Sequence, residues 1–413
     1  MYERNVTWIE QLVESQNEWR QQCINLIASE NVLSARARSV MGSDFAHRYA
    51  EGHPGERYYQ GTDKIDEIEA RVKQHLKSLF SSRHVEVRSI SGTIANDTVI
   101  SRFVQHGDLV MVNSTPGGGH VSHHKGGSVG KYTRNIIDFP LTPDGYHTDI
   151  DKTVELIRSI RPKLLIFGKS LFLFPEPVAI IREVCDRYQT KILFDAAHVL
   201  GLIAGKQFQD PLLEGADMMT GSTHKTFFGS QRGLVVSNMS DDEWSKIDRG
   251  AFPGSSSNHH LDTLVAFAIS TYEMIEFGEA YAIQVIKNAK ALAEAMAAKG
   301  FDVQAKEFGF TETHQVVVDV RKHGGGDEVA RMLQDNGIIL NMNLLPFEPN
   351  RNVSNPAGIR LGTQEMTRVG MKEDDMRHIA ELIKDCLMGG EPIDERVREF
   401  RASFRKVCYS FDS

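Results

Sequence analysis

Short, unbroken apolar runs alternate along this chain with amphipathic helical stretches, and that alternation most narrows the possible folds. KLLIFG (163–168) and KILFDA (191–196) are too short and too uniformly apolar to be surface helices. Runs of this kind are strands buried on both faces, as in a parallel sheet covered by helices. Between them, VAIIREVCDRY (178–188) has helical spacing, and DLVMVN (108–113) and GLVVSN (233–238) extend the strand series. A helix over 149–160 sets Ile150, Val154, Ile157 and Ile160 mostly toward one face. Another over 64–80 does the same with Ile65, Ile68, Val72, Leu76 and Leu79. The pattern predicts an α/β chain with a mostly parallel sheet between layers of helices.

The ends read differently. Residues 5–23 predict an arm helix carrying Trp8, Ile9, Leu12 and Trp19 among polar residues. A long helical region over 260–298 leads into a strand, HQVVVDVR, and a helix, DEVARMLQDNG, stopped by glycine. Helical segments near 365–388 and 393–406 complete a smaller α+β unit. A chain of 413 residues has room for two domains. The divisions expected are an N-terminal arm and loop over 1–60, a large domain over 61–275 and a small domain over 276–413.

Net charge is −8, which gives no electrostatic basis for a nucleic-acid or anionic-membrane partner. The cysteines (Cys23, Cys185, Cys386 and Cys408) form no CxxC pair and suggest no disulfide framework. The start, MYERNVTWIEQ, places charges where a signal peptide needs an apolar run, and no apolar stretch is long enough to span a bilayer. A soluble cytoplasmic protein is expected.

Chemistry concentrates at a few places. In GSTHKTFFG, Lys225 follows His224 and lies between small hydroxyl residues and two aromatics. A lysine that bonds a carbonyl carbon needs such partial dehydration. Asp195 ends the KILFDA strand, with His198 three positions on. It either caps the next turn or faces a protonated ring nitrogen at the carboxyl edge of the sheet. Asp195 and Lys225 together match the needs of pyridoxal phosphate: one group for the aldehyde, one for the pyridine nitrogen. Ser91, Gly92 and Thr93 open the helical TIANDTVISRF, where a phosphate site and an ordinary N-cap look alike. Ser222 could add a hydroxyl, and FPGSS (252–256), with Gly254, backbone amides from the same or a neighbouring subunit. Of His120, His123 and His124, one ring stacked on a flat cofactor is a simpler reading than a metal site, since no acidic or cysteine ligand lies close by. YAEGHPGERYY gathers Tyr49, Glu51, Tyr58 and Tyr59, either a solvated turn or a proton-transfer group. Arg360 in GIRLGTQE is either a surface residue or a fork for a substrate carboxylate.

Taken together, NLIASEN, YAEGHPGERYYQG, SGTIAN, GGGHVSHH, DAAHVLGLIAGKQFQDPL, GSTHKTFFG, FPG and GIRLGTQE resemble the serine hydroxymethyltransferases, most closely their archaeal branch. The motifs span almost the whole chain. The resemblance implies pyridoxal-phosphate fold type I, with a mostly parallel seven-stranded sheet and a smaller C-terminal α+β domain. It implies a homodimer or dimer of dimers in which two subunits share each active site. Lys225 resembles the Schiff-base lysine, Asp195 the ring-nitrogen partner and His120 the stacked imidazole. Ser91, Gly92 and Thr93 would hold phosphate, and Ser170 and His198 would lie near the phenolic oxygen. Arg360 would grip the substrate carboxylate, with Ser29 and Tyr49 contributed by the neighbouring subunit. Glu51 resembles the proton-transfer glutamate and Tyr59 its companion, while Asn343 sits where the family contacts folate. The implied reaction interconverts L-serine and glycine through a glycyl carbanion, with tetrahydrofolate or a modified pterin taking the one-carbon unit.

The chain departs from the family at VRSISG, at Thr115, where many relatives carry an apolar residue, and at Arg232, which replaces a glycine. By analogy all three border the pocket mouth. They leave open a threonine transaldolase or aldolase that hands the glycyl unit to another aldehyde. A non-catalytic scaffold is a remote third reading, because Lys225 and Asp195 are both kept.

Overall fold

In the computed structural model, which describes residues 2–348, 353–390 and 392–412, the apolar runs assemble into a seven-stranded sheet. Its order is His84–Glu86, Gly233–Ser237, Met218–Ser222, Lys191–Asp195, Leu164–Phe167, Leu109–Val112 and Asn135–Asp138. The last five run parallel to one another. Gly233–Ser237, expected as a strand of this mostly parallel sheet, runs against the series. It is antiparallel to both neighbours, because the short loop after Lys225 reverses the chain directly. His84–Glu86, Asn135–Asp138 and Met218–Ser222 had not been read as strands. Each is short or polar: HVE, NIID and the glycine-containing MMTGS.

Alternate side chains of the central strands fill cores on the two faces of the sheet. Leu165, Phe167, Ile192 and Phe194 join one, and Leu164, Ile166 and Leu193 the other. The predicted helices form at Asp63–Leu79, Ile150–Ile160 and Val178–Tyr188. Asp149 caps the second by accepting from the Lys152 amide at 3.1 Å.

One helix, Leu261–Ala298, is continuous through residue 275. Its Tyr281, Ala282 and Val285 pack with the large core, and its Ala289, Leu292 and Met296 with a second core. That second core covers a four-stranded antiparallel sheet of Asp302–Val303, Gln315–Asp319, Gly358–Gly362 and Asn341–Asn343. The arm helix, Tyr2–Gln22, buries no residue, and Trp8, Ile9, Leu12 and Val13 are each at least half exposed. A separate two-stranded parallel pairing of Ile24–Asn25 with Ile338–Ile339 ties the end of the arm to the second core.

Candidate active site

The site lies where parallel strands end. The strand Lys191–Asp195 delivers Asp195, Met218–Ser222 delivers Ser222 and leads to Lys225, and Leu164–Phe167 leads to Ser170. This is the edge at which α/β sheets bind ligands. One cavity there is lined by Gly92, Thr93, His120, Ser170, Asp195, His198, Ser222 and Lys225, all singled out from the sequence, and by Asn96, Lys169 and Ala197.

Asp195 is buried and fully bonded. Its Oδ2 accepts from Asn96 Nδ2 at 2.7 Å and from His123 Nε2 at 3.0 Å, and its Oδ1 accepts from the Ala197 amide at 2.9 Å. Burial by itself would raise the carboxyl pKa. The hydrogen bond and charge of His123, with Asn96 and the Ala197 amide, outweigh burial and hold the group ionised well below the usual carboxylate range. Lys225 is mostly enclosed. Burial pushes its amine down to about 8, against the opposing charge of Asp195 and with a small addition from Arg360. Roughly a tenth to a fifth of the amine is therefore neutral near physiological pH, about a hundredfold or more above an ordinary lysine, and the neutral form is the nucleophile.

The helix Gly92–Phe103 begins beside Ser222. Ser91 caps it, its hydroxyl accepting from the Ile94 amide at 3.2 Å. The Gly92 and Thr93 amides precede the first intrahelical bond and remain open to an anion. A Cβ on Gly92 would lie 2.2 Å from Ser222 Oγ, so any larger residue would turn that hydroxyl out of its present position. His120 Nδ1 accepts from the Ser122 amide at 3.1 Å, which places the proton of the neutral ring on Nε2. Burial, ahead of nearby charges, lowers this imidazole to about 4. His198 is likewise held neutral, chiefly by burial, and Gln315 donates to its Nδ1 at 3.0 Å. His224, lowered to about 4 by burial, is not among the residues lining the cavity.

Arg360 stands on the small sheet and reaches the site through the Ser170 backbone. It is buried, and its guanidinium donates only to neutral oxygens: the Ser170 carbonyl, and Asn341 Oδ1 at 3.0 and 3.2 Å. No carboxylate pairs with it among the described residues. Burial lowers its pKa to about 10. A buried cation without a counter-ion is costly, and an anionic ligand would relieve that cost.

Two expectations are corrected. Ser29 was expected to come from a neighbouring subunit. Its turn is seated on its own chain: His314 Nε2 donates to the Ala28 carbonyl at 3.1 Å and Asn31 Nδ2 to the Lys225 carbonyl at 2.7 Å. Arg232 and Arg88 were expected near the pocket mouth, and both are buried elsewhere. Arg232 donates to the carbonyls of His259, His260 and Val87 at 2.6–2.8 Å. Arg88 pairs with Glu86 and Asp248. Each serves as an internal strut.

Tyr49, Glu51, Tyr59 and Gly254 are not brought to Lys225. Tyr49 and Tyr59 are exposed, with ring centroids 5.3 Å apart. Glu51 accepts from the Ser257 hydroxyl. Its charge is the main cause that raises the Tyr59 phenol. Gly254 packs against Arg102 on the same face of the molecule. Asn343 lines a second cavity of about 310 Å³ with Thr115, Met342, Leu344, Val353 and Pro356, and His120 and Ser170 border both cavities.

Sequence reasoning missed Asn96 and His123 as partners of Asp195, and Gln315 behind His198. Asn96 lies one helical turn after Gly92, which could have flagged it. His123 was visible only as one of three close histidines.

An enclosed amine, an ionised carboxylate, a neutral imidazole and an anion cradle thus share one cavity, and these residues fit pyridoxal phosphate. Comparison with known proteins agrees. The family model for serine hydroxymethyltransferase matches residues 3–383. The serine hydroxymethyltransferase of Archaeoglobus fulgidus is 46% identical over 405 residues, covering 97% of this chain and 92% of the relative. That of Pyrococcus furiosus is 47% identical over 407 residues, with 97% and 95% covered. The crystal structure of L-threonine transaldolase from Pseudomonas fluorescens in its internal aldimine state superposes with a TM-score of 0.90 at 28% identity, covering 100% of this chain and 94% of that one. With an extended family match and relatives aligned over nearly their whole length, this chain belongs to the serine hydroxymethyltransferase family of pyridoxal-phosphate-dependent transferases.

Proposed function

We propose that the protein interconverts L-serine and glycine, with tetrahydrofolate or a modified pterin as the one-carbon carrier. The observation that carries this reading is the buried guanidinium of Arg360, which lacks a carboxylate partner and shares the Ser170 wall with the cavity of Lys225 and Asp195. An amino acid carboxylate is the anion that its fork suits. Lys225 would hold pyridoxal phosphate through its amine. The Gly92 and Thr93 amides, with Ser91 and Ser222, would hold the phosphate, His120 would stack on the ring, and His198 and Ser170 would border the phenolic oxygen. Bound there, the group supplies an electron sink for negative charge on the substrate Cα. Asp195, kept ionised by His123 and Asn96, would hold the proton on the ring nitrogen. Ser29 would supplement Arg360 at the carboxylate.

Glu51 would move a proton at the substrate hydroxyl, with Tyr49 and Tyr59 beside it. These residues and Gly254 lie on an exposed face, and the arm helix presents Trp8, Ile9, Leu12 and Val13 to solvent. Both features favour a homodimer, alone or paired into a tetramer, in which this loop completes a partner's site. No described helix is long and apolar enough to cross a membrane, and a cytoplasmic location suits the reaction. Asn343 and Thr115, in the cavity next to Ser170, would meet the carrier. The similarity to the transaldolase favours a second reading, in which L-threonine donates the glycyl unit to another aldehyde.

Turnover decides between them. L-serine with tetrahydrofolate should give glycine in a folate-dependent way. If it does not, and L-threonine plus an added aldehyde gives a new β-hydroxy amino acid, the second reading replaces the first.

A further inference from the structure

The turn that carries Ser29 lies between the strand of Arg360 and the backbone of Lys225, and it is fastened to both. On the Arg360 side, the Gly362 amide donates to the Leu26 carbonyl at 2.7 Å. His314 Nε2 donates to the Ala28 carbonyl at 3.1 Å. Gln364 Nε2 spends both hydrogens on the Ile27 and Glu30 carbonyls, each at 2.7 Å. The packing is tight: a Cβ on Gly362 would lie 2.4 Å from Ala28 Cα.

On the Lys225 side there is one fastening, Asn31. Its amide is fully used. One hydrogen goes to the Lys225 carbonyl at 2.7 Å and the other to the Tyr281 hydroxyl oxygen at 2.9 Å, while Oδ1 accepts from the Val32 amide at 2.9 Å. Tyr281 donates in turn to the Gln364 carbonyl at 3.2 Å, so the same glutamine grips the turn and orients the partner of Asn31. Among the described residues the Lys225 carbonyl otherwise accepts only the longer bond from the Phe228 amide, at 3.2 Å. That bond lies within the lysine's own loop; Thr226 holds the loop from the other side, donating to the His198 carbonyl at 2.8 Å and accepting from the Gly201 amide at 3.0 Å, so Asn31 is the outside group that fixes the Lys225 carbonyl itself.

We infer that Asn31 is a positioning residue: it sets the backbone of Lys225 from the turn bordering the substrate-carboxylate arginine, so the lysine and the carboxylate grip share one reference frame. This rests on the reading of Lys225 as the cofactor-bearing residue. Asn31 touches no reacting atom, and its effect passes through the placement of the amine, where about 1 Å of error is worth about a hundredfold in rate.

The test is Asn31→Ala, with Asn31→Ser in reserve should the alanine variant be insoluble, since serine keeps the turn polar but cannot span the contact. Ser29→Ala serves as contrast. In cofactor-loaded protein, Asn31→Ala should lower kcat for L-serine at least about tenfold with KM changed less than about threefold, and should displace the pH midpoint of the visible absorbance band. In cofactor-free protein, competitive acetylation read by peptide mass mapping should show the Lys225 midpoint moving up from about 8, because water enters the space vacated by the amide. Ser29→Ala should raise KM and leave both midpoints in place. Unchanged kcat and unchanged midpoints in both Asn31 variants would overturn the inference. A KM effect alone would also overturn it, by assigning Asn31 to the turn and not to the lysine. Borohydride reduction of loaded wild-type protein that fixes cofactor on a residue other than Lys225 would instead refute the underlying reading.

Discussion

Replacing Lys225 by methionine should stabilise the cofactor-free protein at neutral pH. Enclosure takes the amine from its ordinary 10.5 to about 8, with Asp195 opposing and Arg360 assisting. At about 1.4 kcal/mol per pH unit, the charged lysine is about 3 kcal/mol less favourable in the folded chain than in the unfolded one. Solvent reaching part of the side chain trims this to about 2–3 kcal/mol. Methionine fills similar volume without a charge, so most of that difference should appear as gained stability. For a chain of this length the unfolding entropy is about 0.9 kcal/mol/K, which converts the gain to roughly 2–4 °C in Tm.

The sign is set by protons. Below about pH 8 the folded and unfolded chains both hold the proton, and the folded state carries the full penalty. Between about 8 and 10.5 the folded chain releases a proton that the unfolded chain keeps, so wild-type stability climbs relative to the variant. Above 10.5 neither is charged and the penalty is gone. Thermal melts of both cofactor-free proteins at pH 7 and pH 9.5 give the two differences. The gain should be largest at pH 7 and clearly smaller at pH 9.5. A variant that melts at or below wild type at pH 7, or a gain that ignores pH, would mean that the amine is not dehydrated and would remove the reason for its reactivity at neutral pH.

Asp195→Asn should lower turnover about 10²–10³-fold with little change in KM for serine, as steady-state kinetics would register. His123→Phe removes a group that holds Asp195 ionised, so the acid-side loss of cofactor binding should move to higher pH in an absorbance titration. Arg360→Leu should raise KM for L-serine about a hundredfold, the worth of two charge-assisted hydrogen bonds, while cofactor binding measured by absorbance holds. Glu51→Gln and Lys225→Met should each be inactive alone and regain about a quarter of wild-type activity when mixed in equal amounts and refolded, since about half of random dimers are then mixed and each mixed dimer has one of its two composite sites intact; no recovery would place Glu51 outside a shared site. Deleting residues 2–22 should reduce the assembly to a smaller species in sedimentation analysis, because that helix buries nothing within its own chain.

What could be read from the sequence, and what could not, follows the range of the interactions involved. The strand that ends in Asp195 and the one that leads to Ser170 were legible because both faces are buried and their central residues are uniformly apolar. The strand Met218–Ser222 was hidden by Thr220 and Gly221, although it is fully buried. Thr220 is satisfied there by donating to Asn96 Oδ1 at 2.5 Å, a partner 124 residues away. The direction of Gly233–Ser237 depends on loop geometry, which composition does not encode. Lys225, Asp195 and Arg360 were legible as candidates by residue type and motif. Their environment was not, because it is built by Asn96, His123, Gln315 and Asn31 through contacts that only the fold creates. Ser29 was misplaced for the same reason: nothing near it in sequence indicates that its turn packs on Gly362 and Gln364.

The two candidate activities divide along a physical boundary. Every residue proposed to handle the glycyl unit lies in or against the first cavity, and none of them separates a folate carrier from a free aldehyde. An acceptor entering through the second cavity would pass His120 and Ser170, the residues common to both cavities. Beyond them, the described wall contributes Thr115, Leu171, Met342, Asn343, Leu344, Val353 and Pro356, with no charged side chain. Among the described residues, that wall would select by shape, apolar contact and the amide of Asn343. Apolar contact of this sort discriminates weakly, by about 1–3 kcal/mol per methylene-sized difference. The choice of acceptor should accordingly shift with one or two substitutions at Thr115 or Met342, while glycine handling at Lys225 and Arg360 stays intact.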